Sequence, residues 1–236
     1  MHSDISKMVE LQKLWDRKME LEAAIARHEQ SISFWQKKLA DTISEIAQLK
    51  EHMMKTELDI RAGEKKMFEL EEKIGKLNKR RDAIKTEKEL AALESELSAA
   101  GMEKDGIETQ VIEAMESASE LEKKLAEKEN HLKESEPIIQ KDVEQLKAKI
   151  EACASEIQEA MARFAEGLAR LSPEVKSRFE KTIKAKEGKA IAALDGNTCG
   201  VCHTAIPVHI VIEASANAKA VHCTNCGRFI YKKEDT

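Results

Sequence analysis

Apolar residues recur every seven positions along the first third of the chain. With Leu11 as the first a position, the a column runs Leu11, Lys18, Ile25, Ile32, Leu39, Ile46, Met53, Ile60, Met67, Ile74 and Arg81. The d column runs Leu14, Leu21, His28, Trp35, Thr42, Leu49, Thr56, Gly63, Leu70, Leu77 and Ile84. Sixteen of these 22 positions hold sizeable apolar residues, and one phase covers the whole stretch. A seven-residue repeat sustained this long keeps one seam turned to a partner helix under left-handed supercoiling. No proline interrupts it, so the pattern predicts a single helix roughly 110 Å long at about 1.5 Å per residue. Lys18, His28, Thr42 and Thr56 at seam positions are read as register-setting or loosely packed points rather than as ligands.

A second arm follows. Leu90, Leu97, Val111, Ala118, Leu125, Leu132, Ile139 and Leu146 share one seven-residue column, accompanied by Leu93, Ala100, Ile107, Ala114 and Leu121. Beyond Pro137 the companion column becomes Val143, Ile150, Ile157, Phe164 and Leu171. Proline lacks an N–H and crowds the preceding turn, so this phase shift predicts a kink or restart at Pro137.

Between the arms, Thr86 and Glu89 have capping-box spacing, which places a turn within Asp82–Glu89. A turn there leaves about 80 residues on either side, so the arms are equal in length and the second returns beside the first. The expected architecture is mainly α: an antiparallel coiled-coil hairpin over residues 1–172, within one chain. A parallel dimer through each seam is the rival, disfavoured because an intramolecular partner has a high effective concentration. On this register Gly63 falls opposite Gly106 and Pro137 near Phe34 and Trp35. These residues are read either as glycines merely tolerated in long helices or as two weak points where the stalk can bend. Ser172-Pro173-Glu174 reads as an N-cap, a proline in the first turn and an acidic residue, opening a connecting helical segment over 173–189. Its Val175, Phe179 and Ile183 form an apolar stripe able to dock the C-terminal module on the stalk.

Composition agrees. Charged residues make up 35% of the 236-residue chain and aromatics 3%, with three prolines, a mixture that belongs to long helices. No apolar run reaches the length of a membrane span, and Met1-His-Ser-Asp-Ile-Ser-Lys7 lacks the core of a secretory signal. The chain is therefore read as cytoplasmic, without membrane insertion, with its thiols reduced and open to metals. The net charge of −5 is uneven: residues 173–236 hold ten Lys/Arg against seven Asp/Glu, and the preceding residues 29 against 37.

The chemistry lies in four cysteines. Cys199-Gly-Val-Cys202 and Cys223-Thr-Asn-Cys226 are two C-x-x-C pairs separated by twenty residues. Each pair aims two thiolates at one point, and together they complete the tetrahedral shell that zinc prefers. Four thiolates leave no vacancy for water, so the expected ion is one structural Zn2+ per chain. Redox disulfides or an iron–sulfur cluster are the competing readings, and neither pair sits in a thioredoxin-like βαβ pattern. Gly227 follows the second pair and His203 holds the matching place after the first. His203 and His222 adjoin cysteines as substitute donors, and Cys153 stands alone as a small buried hydrophobe. A module spanning 190–236 is too small to fold without metal. Within it, Lys189–Leu194, Val208–Ile212, Ala220-Val221 and Arg228–Tyr231 read as strands, and Asp195-Gly-Asn197 as a turn.

Three stretches carry a resemblance: Lys85-Thr-Glu-Lys-Glu-Leu-Ala-Ala-Leu93, Asp195-Gly-Asn-Thr-Cys-Gly-Val-Cys-His203 and Cys223-Thr-Asn-Cys-Gly-Arg-Phe-Ile-Tyr231. With these, the whole chain resembles the bacterial proteins that join a helical hairpin to a C-terminal C4-type zinc ribbon. Leu90 departs from the aromatic residue that many members carry there. The resemblance implies a non-enzymatic adaptor, with an RpoN-type sigma factor and flagellar or type III export components as partners, and some relatives linked to RNA.

The residues themselves support protein–protein interaction, since no cluster of acids, bases and nucleophiles accompanies the stalk. The second hypothesis is an RNA-binding ribbon acting in post-transcriptional regulation. Lys184, Lys186, Lys189, Arg228, Lys232 and Lys233 would form its basic face and Phe229 or Tyr231 would stack on bases. The charge excess is small and a zinc tetrathiolate adds about −2 locally, which weighs against it. The oligomeric state expected is monomer or weak homodimer.

Overall fold

The structure is a computed structural model, and it describes residues 3–82, 84, 86–216 and 220–233. Two long helices dominate: α1, Ser3–Arg81, and α2, Glu87–Ala169. They form an antiparallel hairpin. As α1 is followed forward, the ion-pair partners on α2 run backward, from Arg17–Glu156 through Glu45–Lys128 and Lys66–Glu103. The connection lies inside Asp82–Glu89. Ala83 and Lys85, and with Lys85 the start of the first family-like stretch, lie outside the described residues. The Thr86 hydroxyl donates to a Glu89 carboxylate oxygen at 2.7 Å, so the capping-box pair meets at the helix start.

The seam is the one the repeat predicts. From Leu11 to Leu77 no a or d residue is exposed, whereas Arg81 is. Polar seam residues are accommodated locally. Thr56 is buried, and its hydroxyl donates to the His52 carbonyl one turn back at 3.0 Å, as that of Thr42 does to Lys38. Lys18 reaches out to Glu22 at 2.8 Å. A pair of this kind within one helix contributes little, about 0–1 kcal/mol.

Compactness divides the chain at Ser33 and Val143: Phe34–Asp142 form one unit, and Met1–Ser33 with Val143–Thr236 the other. The division therefore falls across the hairpin and keeps the C-terminal module with the hairpin base.

In the first of these units two sequence expectations change. Gly63 packs against Ile107, the residue after Gly106, and Val111, a little over one helical turn beyond it, and Gly106 faces open space. Gly63 is thus a point of close helix approach rather than half of a glycine pair. A Cβ at Gly63 would collide with the Val111 side chain. Gly63→Ala should destabilise the unit by about 1–3 kcal/mol through overpacking, despite its better helix propensity. Gly106→Ala should stabilise it by up to about 1 kcal/mol. Denaturant unfolding of the two variants checks the opposite signs. The second change concerns Pro137: α2 runs through it without restarting. The Ser135 hydroxyl donates to the His131 carbonyl at 2.7 Å, and Trp35, Ser135, Ile138 and Ile139 line one groove beside the proline.

The other unit holds α3 (Pro173–Ala185), β1 (Ile191–Asp195), β2 (Thr198–Cys199), α4 (Val208–Ser215), β3 (Val221–His222) and β4 (Phe229–Tyr231). The sheet order is β2-β1-β4-β3, with β1 and β4 parallel and the outer pairings antiparallel. The Val208–Ile212 stretch is helical, not the strand its β-branched residues predict. Pro207 occupies the N-cap, and a helix places Ile210, Val211 and Ala214 on the module's core where an alternating strand would not. Ser172 occupies the N-cap of α3, but its hydroxyl donates to the buried Asp4 carboxylate at 2.7 Å instead of capping.

Candidate metal centre

Four cysteines converge. The Sγ atoms of Cys199, Cys202, Cys223 and Cys226 all lie within 4.8 Å of one another. Cys199 to Cys226 measures 3.9 Å and Cys202 to Cys223 3.7 Å. A tetrahedron with metal–sulfur bonds of about 2.3 Å has edges of about 3.8 Å, so the donor set fits a four-coordinate ion. The separations are nearly twice a disulfide bond of about 2.05 Å. Neither His203 nor His222 belongs to the cluster among the described residues. Cys153 is a free, half-buried thiol on α2.

The two cysteine pairs sit in matching turns. The His203 N–H donates to the Cys199 carbonyl at 2.8 Å, and the Gly227 N–H to the Cys223 carbonyl at 2.9 Å. Both turning residues are left-handed, with φ of +55° at His203 and +75° at Gly227. A side chain in that region costs about 1–2 kcal/mol. His203→Gly should therefore stabilise the metal-bound module by about 1 kcal/mol without changing its metal content, and Gly227→Ala should cost a similar amount. Denaturation of the two variants beside metal analysis checks both statements. The Cys199 N–H donates to the Thr204 carbonyl and the Cys223 N–H to that of Arg228, closing the two turns alike. Asn225 donates to the Thr204 hydroxyl at 2.8 Å and ties one turn to the other.

Electrostatics set the cost of assembling four sulfurs. Burial pushes the Cys199 and Cys223 thiols up, whereas the Thr204 hydroxyl and backbone N–H pull Cys202 down. Four adjacent thiolates need a cation to hold them, and the two raised thiols must lose protons as the ion enters. Metal uptake by this cluster would therefore release protons, and its affinity would fall as pH falls.

The module is seated on the hairpin base. Phe179 and Ile183 of α3 are buried in one cluster with Ile5, Met8 and Leu11 of α1, Phe164, Leu168 and Leu171 of α2, and Ala190, Ile191 and Phe229. Ring centroids step from Phe164 to Phe179 at 6.4 Å and on to Phe229 at 6.5 Å, three residues past the last cysteine. Gln12 of α1 locks the junction: its amide accepts from the Ala190 N–H at 2.7 Å and donates to the Gly188 carbonyl at 2.6 Å. Lys189 pairs with Asp16 at 2.7 Å. The docking stripe was readable in sequence, but Gln12 and Trp15, which packs half-buried against the same cluster beside Phe164, were not. The signal was there in Ile5, Met8, Gln12 and Trp15, which lie at helical spacing beside the heptad seam.

This seating also bears on the basic face. Phe229 is buried, so it offers no platform for a base, and Arg228 donates to the carbonyls of Lys189 and Lys186. Lys189 is engaged with Asp16, and Tyr231 packs half-buried against the same core.

No family model matches the chain, and no curated protein matches it. Solved structures do. The chain is similar to the CT398 protein of Chlamydia trachomatis, at 22% identity, a TM-score of 0.88 and 99% coverage of each chain. It is similar to the HP0958 protein of Helicobacter pylori, at 17% identity, a TM-score of 0.65 and 99% coverage of each. A protein from Mycobacterium smegmatis matches at 19% identity and a TM-score of 0.60, over 99% of this chain and all of that one. At these identities the likeness establishes the fold alone: a long helical hairpin followed by a small C-terminal module.

Proposed function

We propose that this chain is a non-enzymatic, zinc-binding adaptor that works in the cytoplasm as a monomer or weak homodimer. One structural zinc held by Cys199, Cys202, Cys223 and Cys226 fixes the ribbon, and the stalk carries it. The observation that carries the reading is the continuous apolar core joining α3 and the ribbon to the hairpin base. A ribbon held in one orientation presents its outer groups pre-organised, which lowers the ordering cost of binding a protein. Four sulfurs at tetrahedral spacing fill a zinc shell, which favours a structural ion over a hydrolytic one.

The partners proposed are an RpoN-type sigma factor and a flagellar or type III export component, from the family resemblance. The test is capture from native cytoplasm with the tagged full-length chain, followed by cross-linking to map the contacts. Enrichment of discrete proteins cross-linked to the ribbon or hairpin base is the expected result. Enrichment of RNA in place of proteins, abolished by ribonuclease, would replace the adaptor with the RNA-binding reading.

A further inference from the structure

Beside the junction, the hairpin base carries a groove of about 520 Å³ between the start of α1 and the end of α2. That is within the range of about 300–1,000 Å³ typical of binding clefts. Its floor includes Leu11, Leu14 and Gly167, and a Cβ at Gly167 would approach Leu11 at 2.8 Å, so the helices pass closely there. Four cations, Lys7, Lys13, Arg163 and Arg170, stand around it against two carboxylates, Glu10 and Glu166. This concentration of positive charge lies within the acidic part of the chain, where Asp/Glu outnumber Lys/Arg by 37 to 29. Lys7 is already committed, to the Arg170 carbonyl at 2.8 Å and to Asp4 at 3.6 Å. Lys13, Arg163 and the Arg170 guanidinium form no ion pair among the described residues. The ribbon does not cover the groove. Ile5, Met8 and Gln12 turn to the docked module, and Lys7 and Glu10 lie roughly a quarter turn or more round the helix.

We propose that this groove docks an acidic amphipathic helix of a protein partner, a refinement that rests on the adaptor reading. Apolar side chains of the incoming helix sit on Leu14 beside Gly167, with the buried Leu11 beneath, and its carboxylates meet Lys13, Arg163 and Arg170. Helix-in-groove recognition uses this combination of an apolar strip and a charged rim. RNA fits the groove less well, because among the described residues no aromatic side chain lines it to stack a base.

The test uses the full-length chain and a fluorescein-labelled peptide roughly five helical turns long, with Leu at every third or fourth position and Glu elsewhere. Anisotropy is read for this peptide, for the same peptide with Lys in place of Glu, and for an oligouridylate. The acidic peptide should bind, more weakly as salt rises, and the basic one should not. Arg163→Glu with Arg170→Glu, both at exposed positions, should weaken binding by about tenfold or more. Lys37→Glu with Lys123→Glu, exposed elsewhere on the stalk, should leave it unchanged. Circular dichroism and metal content confirm that each variant is folded. Failure of the acidic peptide to bind, or equal binding by the arginine variant, would overturn the proposal. So would tighter binding of the oligouridylate that is lost in the same variant. Protein capture separates this idea from the one it rests on. If wild type and arginine variant capture the same proteins, the groove is refuted and the adaptor stands. If the wild type captures none, the adaptor reading falls, and the groove's role with it.

Discussion

With Cys199 replaced by serine, the chain should lose its metal and the ordered structure of the ribbon, while its far-UV helical signal stays close to that of the parent. The helical signal is insensitive because α1 and α2 contribute 79 and 83 residues of helix. The ribbon is sensitive because its own core is small. Cys199 and Cys223 are themselves part of that core, packed with Ala192, Ile206, Ala214 and Ile230. Structural zinc contributes on the order of 10–16 kcal/mol in modules of this kind, more than so small a core can replace. Cys202→Ser, Cys223→Ser and Cys226→Ser should behave alike, since a tetrahedral site with three thiolates is left open to water and competing ligands. Elemental analysis with hydrogen exchange checks this: amides of β1, β3 and β4 lose protection and those of α1 and α2 near the seam centre keep theirs. A serine variant that retains both metal and ribbon protection would contradict the assignment.

The second large effect belongs to Phe179. Its side chain is 0% exposed and lies between the rings of Phe164 and Phe229. Phe179→Ala should cost about 3–5 kcal/mol, the range for deleting a buried aromatic ring. Asp at Phe179 and Ile183 together should undock the ribbon, because a carboxylate in that cluster has no partner. Metal should stay bound, since the cluster around the cysteines is separate from the one around Phe179. Hydrogen exchange should then show lost protection at Ala190 and Ile191, whose amides are held by Gln12 at 2.7 and 3.4 Å. Capture of protein partners should fall in the same variant. Unchanged protection would mean that the ribbon is held by other contacts.

Much of this architecture is written in the periodicity. The α1 seam needed only the seven-residue count, because each apolar side chain there answers to one partner helix. The convergence of Cys199, Cys202, Cys223 and Cys226 was equally legible, since two C-x-x-C pairs leave few other ways to arrange four thiols. What could not be read depended on contacts far apart in sequence. The nearly equal arms were foreseen, but the fine register was not: Gly63 meets Val111 and Ile107 rather than Gly106. The helix at Val208–Ser215 opposed its own β-branched residues because the core behind it wanted Ile210 and Ala214 on one side. Gln12 looked like any polar surface residue until Gly188 and Ala190 came to lie beside it. The seam phase changes beyond Pro137 as expected, with Val143 and Phe164 buried, while α2 stays continuous.

Native mass spectrometry of the intact chain, purified without added metal, tests the central claim most directly. The account predicts one zinc per chain, released on acidification together with the appearance of four freely alkylated thiols beside Cys153. Iron in place of zinc, or a metal-free chain with two disulfides among Cys199, Cys202, Cys223 and Cys226, would contradict it.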